Sequence, residues 1–401
     1  MNEEPDTSVR PFVVGIIGGG QLCRMMYAAS IGLGLRVRIL AESPDVSAAQ
    51  VGSDVVVGDY TDHDTVLTFA RQCDVITFDH EHVSTEILRA VAAEGIEVRP
   101  GPDALIHAQD KGIMRQRFAD MGIPCPVNRL VADADELKAF GDEVGWPIIA
   151  KATRGGYDGK GVWKLDRPGE ADALFAGLHG GADILAEEFV DFTRELSAIV
   201  VRSPSNQAVA YPVSESVQKE GICTETVTPA EGLTDDQAIT CQELALRIAR
   251  ELDVVGVLAV ELMQRADGSV VVNELAMRPH NTGHWTMDGA YTSQFENHLR
   301  AVVDLPLGDP GLRDPYAVMT NVLGGTVEDL PSELLHCFAR DRRLRVQLYG
   351  KQVRSHRKVG HVTVTGQDLA QVRRRARHAA SRLMGIDDEA ETDGDTDGGR
   401  R

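Results

Sequence analysis

The stretch KATRGGYDGKGVW, residues 151–163, places four glycines within seven positions, at 155, 156, 159 and 161. Such a run lets backbone amides close around phosphate, because glycine carries no Cβ to hold the chain away. Lys151 enters the loop from an apolar, strand-like run and is placed to neutralise the phosphate that the loop covers. The loop is not the pattern G-x-x-x-x-G-K-[ST], since Lys160 is followed by Gly161. The H-R-D and D-F-G signatures of protein kinases are absent from the sequence.

A second constellation lies in residues 254–276, VVGVLAVELMQRADGSVVVNELA, two apolar runs around Asp267 and Gly268. A two-residue hairpin turn there predicts Glu261 directly opposite Glu274, their Cβ atoms about 5 Å apart. Carboxylates that close repel unless a cation lies between them, and oxygen ligands so arranged suit a hard divalent ion, Mg²⁺ or Mn²⁺. The alternative, a solvated pair of glutamates, sits poorly with flanking runs that are apolar on both faces. A glycine loop over phosphates, a lysine ahead of it and a paired-carboxylate metal site together predict an ATP-using enzyme.

A third glycine cluster, GIIGGGQLCRM at 15–25, follows a strand-like run and opens a helical one, where free amides receive phosphate. Counted from Gly18, the dinucleotide fingerprint G-x-G-x-x-G needs glycine at 23 and meets Cys23, although Glu42 stands where a ribose ligand would. The cluster reads either as a phosphate site for another ligand or as a turn that packs helix on strand.

Three units are needed to position these groups. β-Branched runs at 12–18, 36–40, 54–58, 74–78 and 96–100 alternate with helix-compatible stretches at 21–34, 62–71 and 84–94. That is the pattern of a parallel sheet with crossover helices. A helix is expected from about 103 to 121. Beyond GIPCP (122–126) come longer strands and hairpins, including AVAYPV at 208–213, broken by an amphipathic helix at 235–252. The expected fold class is α/β, α+β overall. A Rossmann-like domain is expected over 12–105, a linker helix and small domain over 106–192, and a large domain over 193–385 with a hairpin at 346–364. Residues 1–11 and 386–401 are expected to be disordered, the latter holding an acidic run without large apolar residues.

A net charge of −20 argues against a broad nucleic-acid footprint, yet permits cations concentrated in one cleft. The six cysteines form no C-x-x-C pair, so neither a zinc site nor a disulfide framework is expected. No run approaches the roughly 20 apolar residues of a membrane span, and the N-terminus lacks the basic-then-apolar layout of a secretory signal. A cytoplasmic protein with neither membrane nor nucleic-acid partner is expected.

Further segments join these in order: TFDHEHV (77–83), QDK (109–111), EEFVDFTRELS (187–197), NELAMRPHNTGHWT (273–286), SQFENHLRA (293–301), NVLG (321–324) and YGKQVRSHRKVGH (349–361). On these motifs, which cover most of residues 13–365, the chain resembles the ATP-grasp superfamily. Within it, the chain is similar to the N5-carboxyaminoimidazole ribonucleotide synthases of purine biosynthesis, the ATPase-subunit type of aminoimidazole ribonucleotide carboxylase. The resemblance implies an ATP-grasp fold, ATP as co-substrate and a homodimer. It also implies carboxylation of 5-aminoimidazole ribonucleotide by bicarbonate through carboxyphosphate, with release of ADP and phosphate.

Residue by residue, the resemblance implies that Lys111 and Lys151 face the nucleotide phosphates. Gly156, Tyr157, Asp158, Gly159, Lys160 and Gly161 would cover them. Glu187, Glu188, Phe189 and Val190 would line the adenine, Glu195 would accept from the ribose, and Gln218, Asn273 and Glu274 would complete the nucleotide side. Gly20, Gln21 and Leu22, with Lys351 and Arg354, would hold the phosphate of the second substrate, and Glu81 and Asn281 would contact the rest of it. Arg278, His280, Lys160 and Tyr157 are the implied catalytic groups, the first two at the bicarbonate end, and Glu261 and Glu274 the implied metal ligands. Four positions depart from the family pattern: Asp79 replaces glutamate, Met277 proline and Gln218 histidine, and Ala276 stands where many ATP-grasp enzymes carry an asparagine ligand.

Two alternatives within the superfamily are a formate-using glycinamide ribonucleotide transformylase and a biotin carboxylase subunit; the resemblance carried by the RPHNTGHWT and YGKQVRSHRKVGH blocks argues against both. A nicotinamide-dependent oxidoreductase is disfavoured by Cys23, and a non-enzymatic scaffold has no use for opposed Glu261 and Glu274.

Overall fold

The computed structural model describes residues 12–155, 161–178 and 183–386. The sequence-based expectations for 1–11 and 387–401, and for Gly156, Tyr157, Asp158, Gly159 and Lys160, lie outside the described residues. Among the described residues the strands fall into three sheets.

The first sheet is parallel. Its strands are β1 (Val13–Ile17), β2 (Arg36–Ala41), β3 (Val55–Val57), β4 (Val75–Phe78) and β5 (Glu97–Val98), in the order β3-β2-β1-β4-β5. β1 and β4 are buried along their whole length, which is why they read as unbroken apolar runs rather than alternating ones. The crossovers are α1 (Gln21–Gly32), α2 (His63–Ala70) and α3 (Thr85–Ala93). Asp62 and Ser84 cap α2 and α3 by accepting from the third residue on. Gly18, at φ +103°, turns the chain from β1 towards α1.

The expected helix over 103–121 is two helices, α4 (Pro102–Gln109) and α5 (Lys111–Met121). Asp110 breaks it: its backbone is extended, and its carboxylate caps α5 by accepting from Ile113 N–H at 3.0 Å. Lys111 N–H donates to Thr153 O at 2.9 Å, outside the helix. No local signal encodes that tertiary bond, and the break aims Lys111 at the cleft described below.

The second sheet, in the order β6-β9-β7-β8, contains β6 (Asn128–Val131), β7 (Ile148–Ala152), β8 (Val162–Leu165) and β9 (Ile184–Glu188), backed by α6 (Ala134–Val144) and α7 (Glu170–Gly177). The third has nine strands. Its path is β15-β14-β10-β12-β13-β16-β18-β17, with β11 beside β10. The early members are β10 (Phe192–Arg202), β11 (Ala208–Ala210), β12 (Ser214–Lys219), β13 (Ile222–Thr228), β14 (Gly256–Arg265) and β15 (Val270–Ala276). β16 (Tyr316–Leu323), β17 (Arg345–Leu348) and β18 (Lys358–Gly366) complete it. AVAYPV is a strand only at 208–210, and β17 and β18 pair with residues 349–357 crossing between them rather than through a tight turn.

Helix α8 (Asp235–Glu251) lies where amphipathic spacing placed it, starts on a capping box between Thr234 and Gln237, and buries Cys241, Ala245 and Ile248. The connection from β15 to β16 carries a 3₁₀ turn (Asn281–Gly283), α9 (Thr286–Gly289) and α10 (Gln294–Val302). After α11 (Leu330–Arg340), α12 (Leu369–Met384) closes the fold over β16 and β18. Glu225, 3 % exposed, receives Arg373 and Arg377 of α12 at 2.7 and 2.8 Å.

Candidate active site

The turn between β14 and β15 corrects the expected hairpin. It is a three-residue loop, 266–268: Arg265 N–H donates to Ser269 O at 2.9 Å, and Gly268 supplies the positive φ, +85°. The longer turn shifts the pairing by one residue, so that Gln264 faces Val270. A β-bulge between Glu261 and Leu262 then absorbs Asn273 and shifts it back, and Glu261 does face Glu274. The bulged Asn273 reaches out of the ladder: its Oδ1 accepts from Lys151 Nζ at 3.0 Å and its carbonyl from Arg115 Nη2 at 2.7 Å.

Each carboxylate of the pair has its own nitrogen partner. Lys111 Nζ lies 2.6 Å from Glu274 Oε1, and His280 Nε2 lies 3.3 Å from Glu261 Oε1. Burial pushes the Glu261 carboxyl up, but the hydrogen bond and charge of His280, with Lys358 and Arg278, outweigh it and hold the group below its ordinary value. Among the described residues no point gathers three or more His, Cys, Asp or Glu side chains. Two carboxylates therefore fit a hard ion whose remaining ligands are phosphate and water oxygens.

Among the described residues Glu195, on β10, has no such partner. Burial, then the charge of Glu261, pushes its carboxyl up to about 7, against the pull of Lys151. A carboxyl raised in the folded state is penalised as pH climbs from its unfolded value of about 4.3 through 7, and not below that window. Glu195→Gln should therefore raise the thermal midpoint of the metal-free protein at pH 8 and leave it unchanged at pH 4; an equal shift at both would refute the assignment.

The pair opens into a cleft of about 1070 Å³ between the parallel and nine-stranded sheets. Glu261, Glu274, Lys111, Gly155, Arg278, His280 and Asn281 line it together with Gly20, Gln21, Leu22, Glu81, Lys351 and Arg354. Arg278 is oriented by Glu81, whose Oε2 accepts from Nε at 2.8 Å. Glu81 Oε1 in turn accepts from the Met277 backbone N–H at 2.9 Å, a bond that a proline at this position would have no hydrogen to make. Met277 therefore adds to the hold on Arg278. Asn281 Nδ2 is buried and has no hydrogen-bond partner among the described residues.

Other residues expected in the site have partners of their own. The Gly20 N–H donates to Asp79 Oδ2, and a Cβ at position 20 would collide with that carboxylate. Asp79 is 7 % exposed, and its carboxyl is pushed up by burial against the pull of His80 and Arg278. Gln21 Oε1 accepts from Lys351 Nζ, tying the start of α1 to the 349–357 segment. Arg354 is exposed and bonds Gln352 at 3.0 Å.

On the nucleotide side, the Glu187 side chain is held in an ion cluster. It is 2 % exposed and clamped between Arg115, at 2.7 Å, and Lys151, at 2.7 Å. Burial would raise its pKa, but Lys151 and Arg115 outweigh burial and lower it. Glu188 pairs with Arg265 at 2.8 Å, Phe189 is 43 % exposed beneath Lys164, and Val190 packs with Met263 and Val271. Gln218 sits half-buried at a bulge opposite Cys223, and Gly161 O accepts from Ala152 N–H at 2.8 Å. Neither borders the cleft. Arg115, which holds Glu187 to the Asn273 carbonyl, was missed from the sequence, where RQRF after QDKGIM carries no motif that marks it.

A parallel-sheet lobe, a four-stranded lobe and a large sheet carrying opposed glutamates are the parts of an ATP-grasp enzyme. The ATP-grasp domain model matches residues 116–295, the ribonucleotide synthetase preATP-grasp domain 12–109 and the phosphoribosylaminoimidazole carboxylase C-terminal domain 317–375. The chain is an ATP-grasp ligase. It is 50% identical over 372 residues to the N5-carboxyaminoimidazole ribonucleotide synthase of Mycobacterium tuberculosis, covering 92% of this chain and 87% of that one. The Bacillus subtilis synthase is 34% identical, covering 88% and 92%. A crystal structure of the Aspergillus clavatus synthase with ADP and 5-aminoimidazole ribonucleotide superposes with a TM-score of 0.85 at 29% identity, covering 94% and 99%. The chain belongs to the N5-carboxyaminoimidazole ribonucleotide synthase family.

Proposed function

We propose that the cleft carboxylates 5-aminoimidazole ribonucleotide with bicarbonate at the expense of ATP, in purine biosynthesis. The observation that carries this is the layout of one cavity. The opposed glutamates, Lys111, Arg278 and His280 line it together with the start of α1 and Lys351. A bicarbonate oxygen attacks the γ-phosphorus, the bond to the β–γ bridging oxygen breaks, and ADP leaves with carboxyphosphate formed. The exocyclic amine attacks the carboxyl carbon, phosphate departs, and the amine releases a proton. Lys111 and Lys151 hold the nucleotide phosphates, Arg278, fixed by Glu81, orients the one-carbon anion, and His280 sits between that anion and Glu261. A divalent ion, Mg²⁺ or Mn²⁺, held by Glu261 and Glu274 would neutralise charge as the γ-phosphoryl moves.

With Asp79 on the Gly20 amide, the second substrate's phosphate falls to Gln21, Leu22 and Lys351. We place the reaction in the cytoplasm, where its ATP is, and read the assembly as the homodimer that the resemblance implies. No helix among the described residues is long and apolar enough to cross a membrane. ADP release should depend on both bicarbonate and the aminoimidazole ribonucleotide. Release indifferent to the ribonucleotide would show an ATP-grasp site with a different acceptor.

A further inference from the structure

His284 ends the turn that carries His280, and no role above uses it. It is 1 % exposed, yet its ring borders the cleft. The ring is packed against Phe295 and His361, at centroid distances of 5.6 and 4.9 Å.

Its tautomer is set by Gln294, a residue with no exposed surface. Gln294 Oε1 accepts from His280 N–H at 2.9 Å while its Nε2 donates to His280 O at 2.7 Å. Flipping that carboxamide would set oxygen against oxygen and N–H against N–H. The same Nε2 stands 3.3 Å from His284 Nδ1. An amide nitrogen only donates, so Nδ1 accepts, and a neutral ring then carries its hydrogen on Nε2. Burial, followed by the charges of His361 and His280, keeps the ring neutral by holding its pKa well below the ordinary value. Among the described residues Nε2 has no hydrogen-bond partner.

We propose that His284 gives a neutral N–H donor, through Nε2, to an oxygen of the bicarbonate-derived anion held by Arg278 and His280, with Gln294 as the positioning residue that fixes its tautomer. The ligand class follows from size and charge. So enclosed a ring offers little more than one edge atom, which suits a small planar oxyanion rather than a nucleotide. Arg278 is partly neutralised by Glu81, at 2.8 Å, so a neutral donor adds hold on the anion without another buried charge.

The inference rests on the carboxylation reading, and the test separates the two. In histidine-¹⁵N-labelled protein, His284 should show a protonated Nε2 and an unprotonated Nδ1; the reverse overturns the proposal. His284→Phe should raise KM for bicarbonate about tenfold or more, the loss of one hydrogen bond to a charged acceptor, with KM for ATP unchanged. His284→Gln, whose amide reaches the Nε2 position, should restore most of that loss. A His284→Phe effect equal on all substrates, or confined to the ribonucleotide, overturns the proposal. ADP release by the unaltered enzyme that ignores bicarbonate overturns the carboxylation reading itself.

Discussion

Glu274→Gln lowers ADP formation by on the order of 10³-fold, roughly 4 kcal/mol of transition-state stabilisation, and leaves the fold intact. The substitution keeps the shape of the side chain and an acceptor for Lys111 Nζ, which lies 2.6 Å from Glu274 Oε1. What it removes is half the charge of the opposed pair, at the point where phosphate charge must be met. The β14–β15 ladder is unaffected, because its hydrogen bonds are made by backbone. The measurements are single-turnover ADP formation with Mg-ATP and the thermal midpoint without it. A variant that turns over at the original rate would remove Glu274 from the metal site; one with a collapsed midpoint would make it structural.

Glu187→Leu costs about 3–5 kcal/mol of stability, the usual penalty for stripping one member from a buried ion cluster. Arg115 and Lys151 are 2 % and 9 % exposed, and both lean on this carboxylate at 2.7 Å. Without it two buried cations face each other across the junction between α5 and β7. Nucleotide affinity should fall too, because Lys151 loses one of the two acceptors that aim it. Urea unfolding reads the first effect and ADP titration the second. The double variant Arg115→Met/Glu187→Leu should lose less stability than Glu187→Leu alone, since it removes one of the opposed cations. A single variant within about 1 kcal/mol of the parent would show that the cluster is not what holds the junction.

Much of this was legible in the sequence, for physical reasons that differ by region. The parallel sheet announced itself because strands covered on both faces must be continuously apolar, and β1 and β4 are buried throughout. α8 was legible from one apolar stripe. The opposition of Glu261 and Glu274 was read correctly through two errors of one residue each. The turn is longer than expected and the bulge at Asn273 takes the extra residue back. Only the backbone could show that, and with it the reason Asn273 points at Lys151. The break at Asp110 and the roles of Arg115 and Gln294 were hidden, because each depends on a partner far away in the chain: Thr153, Glu187 and His280. The family motifs named Gly20 as a phosphate contact, but the Asp79 carboxylate already occupies its amide.

Hydrogen-bonded neighbours run from β15 to β17 across the large sheet, with bulges after Glu261, Val217 and Val322. Glu274 rides on one end of it and Lys358 near the other, with Lys351 on the crossing segment beside it. Glu274 and Lys358 nevertheless line the same cleft, and the charge of Lys358 reaches Glu261, so strands from the two ends of the sheet share one cavity. A single hydrogen-bonded fabric thus carries the opposed glutamates and the lysines at 351 and 358 to the same place, and the parallel sheet adds Glu81 to it.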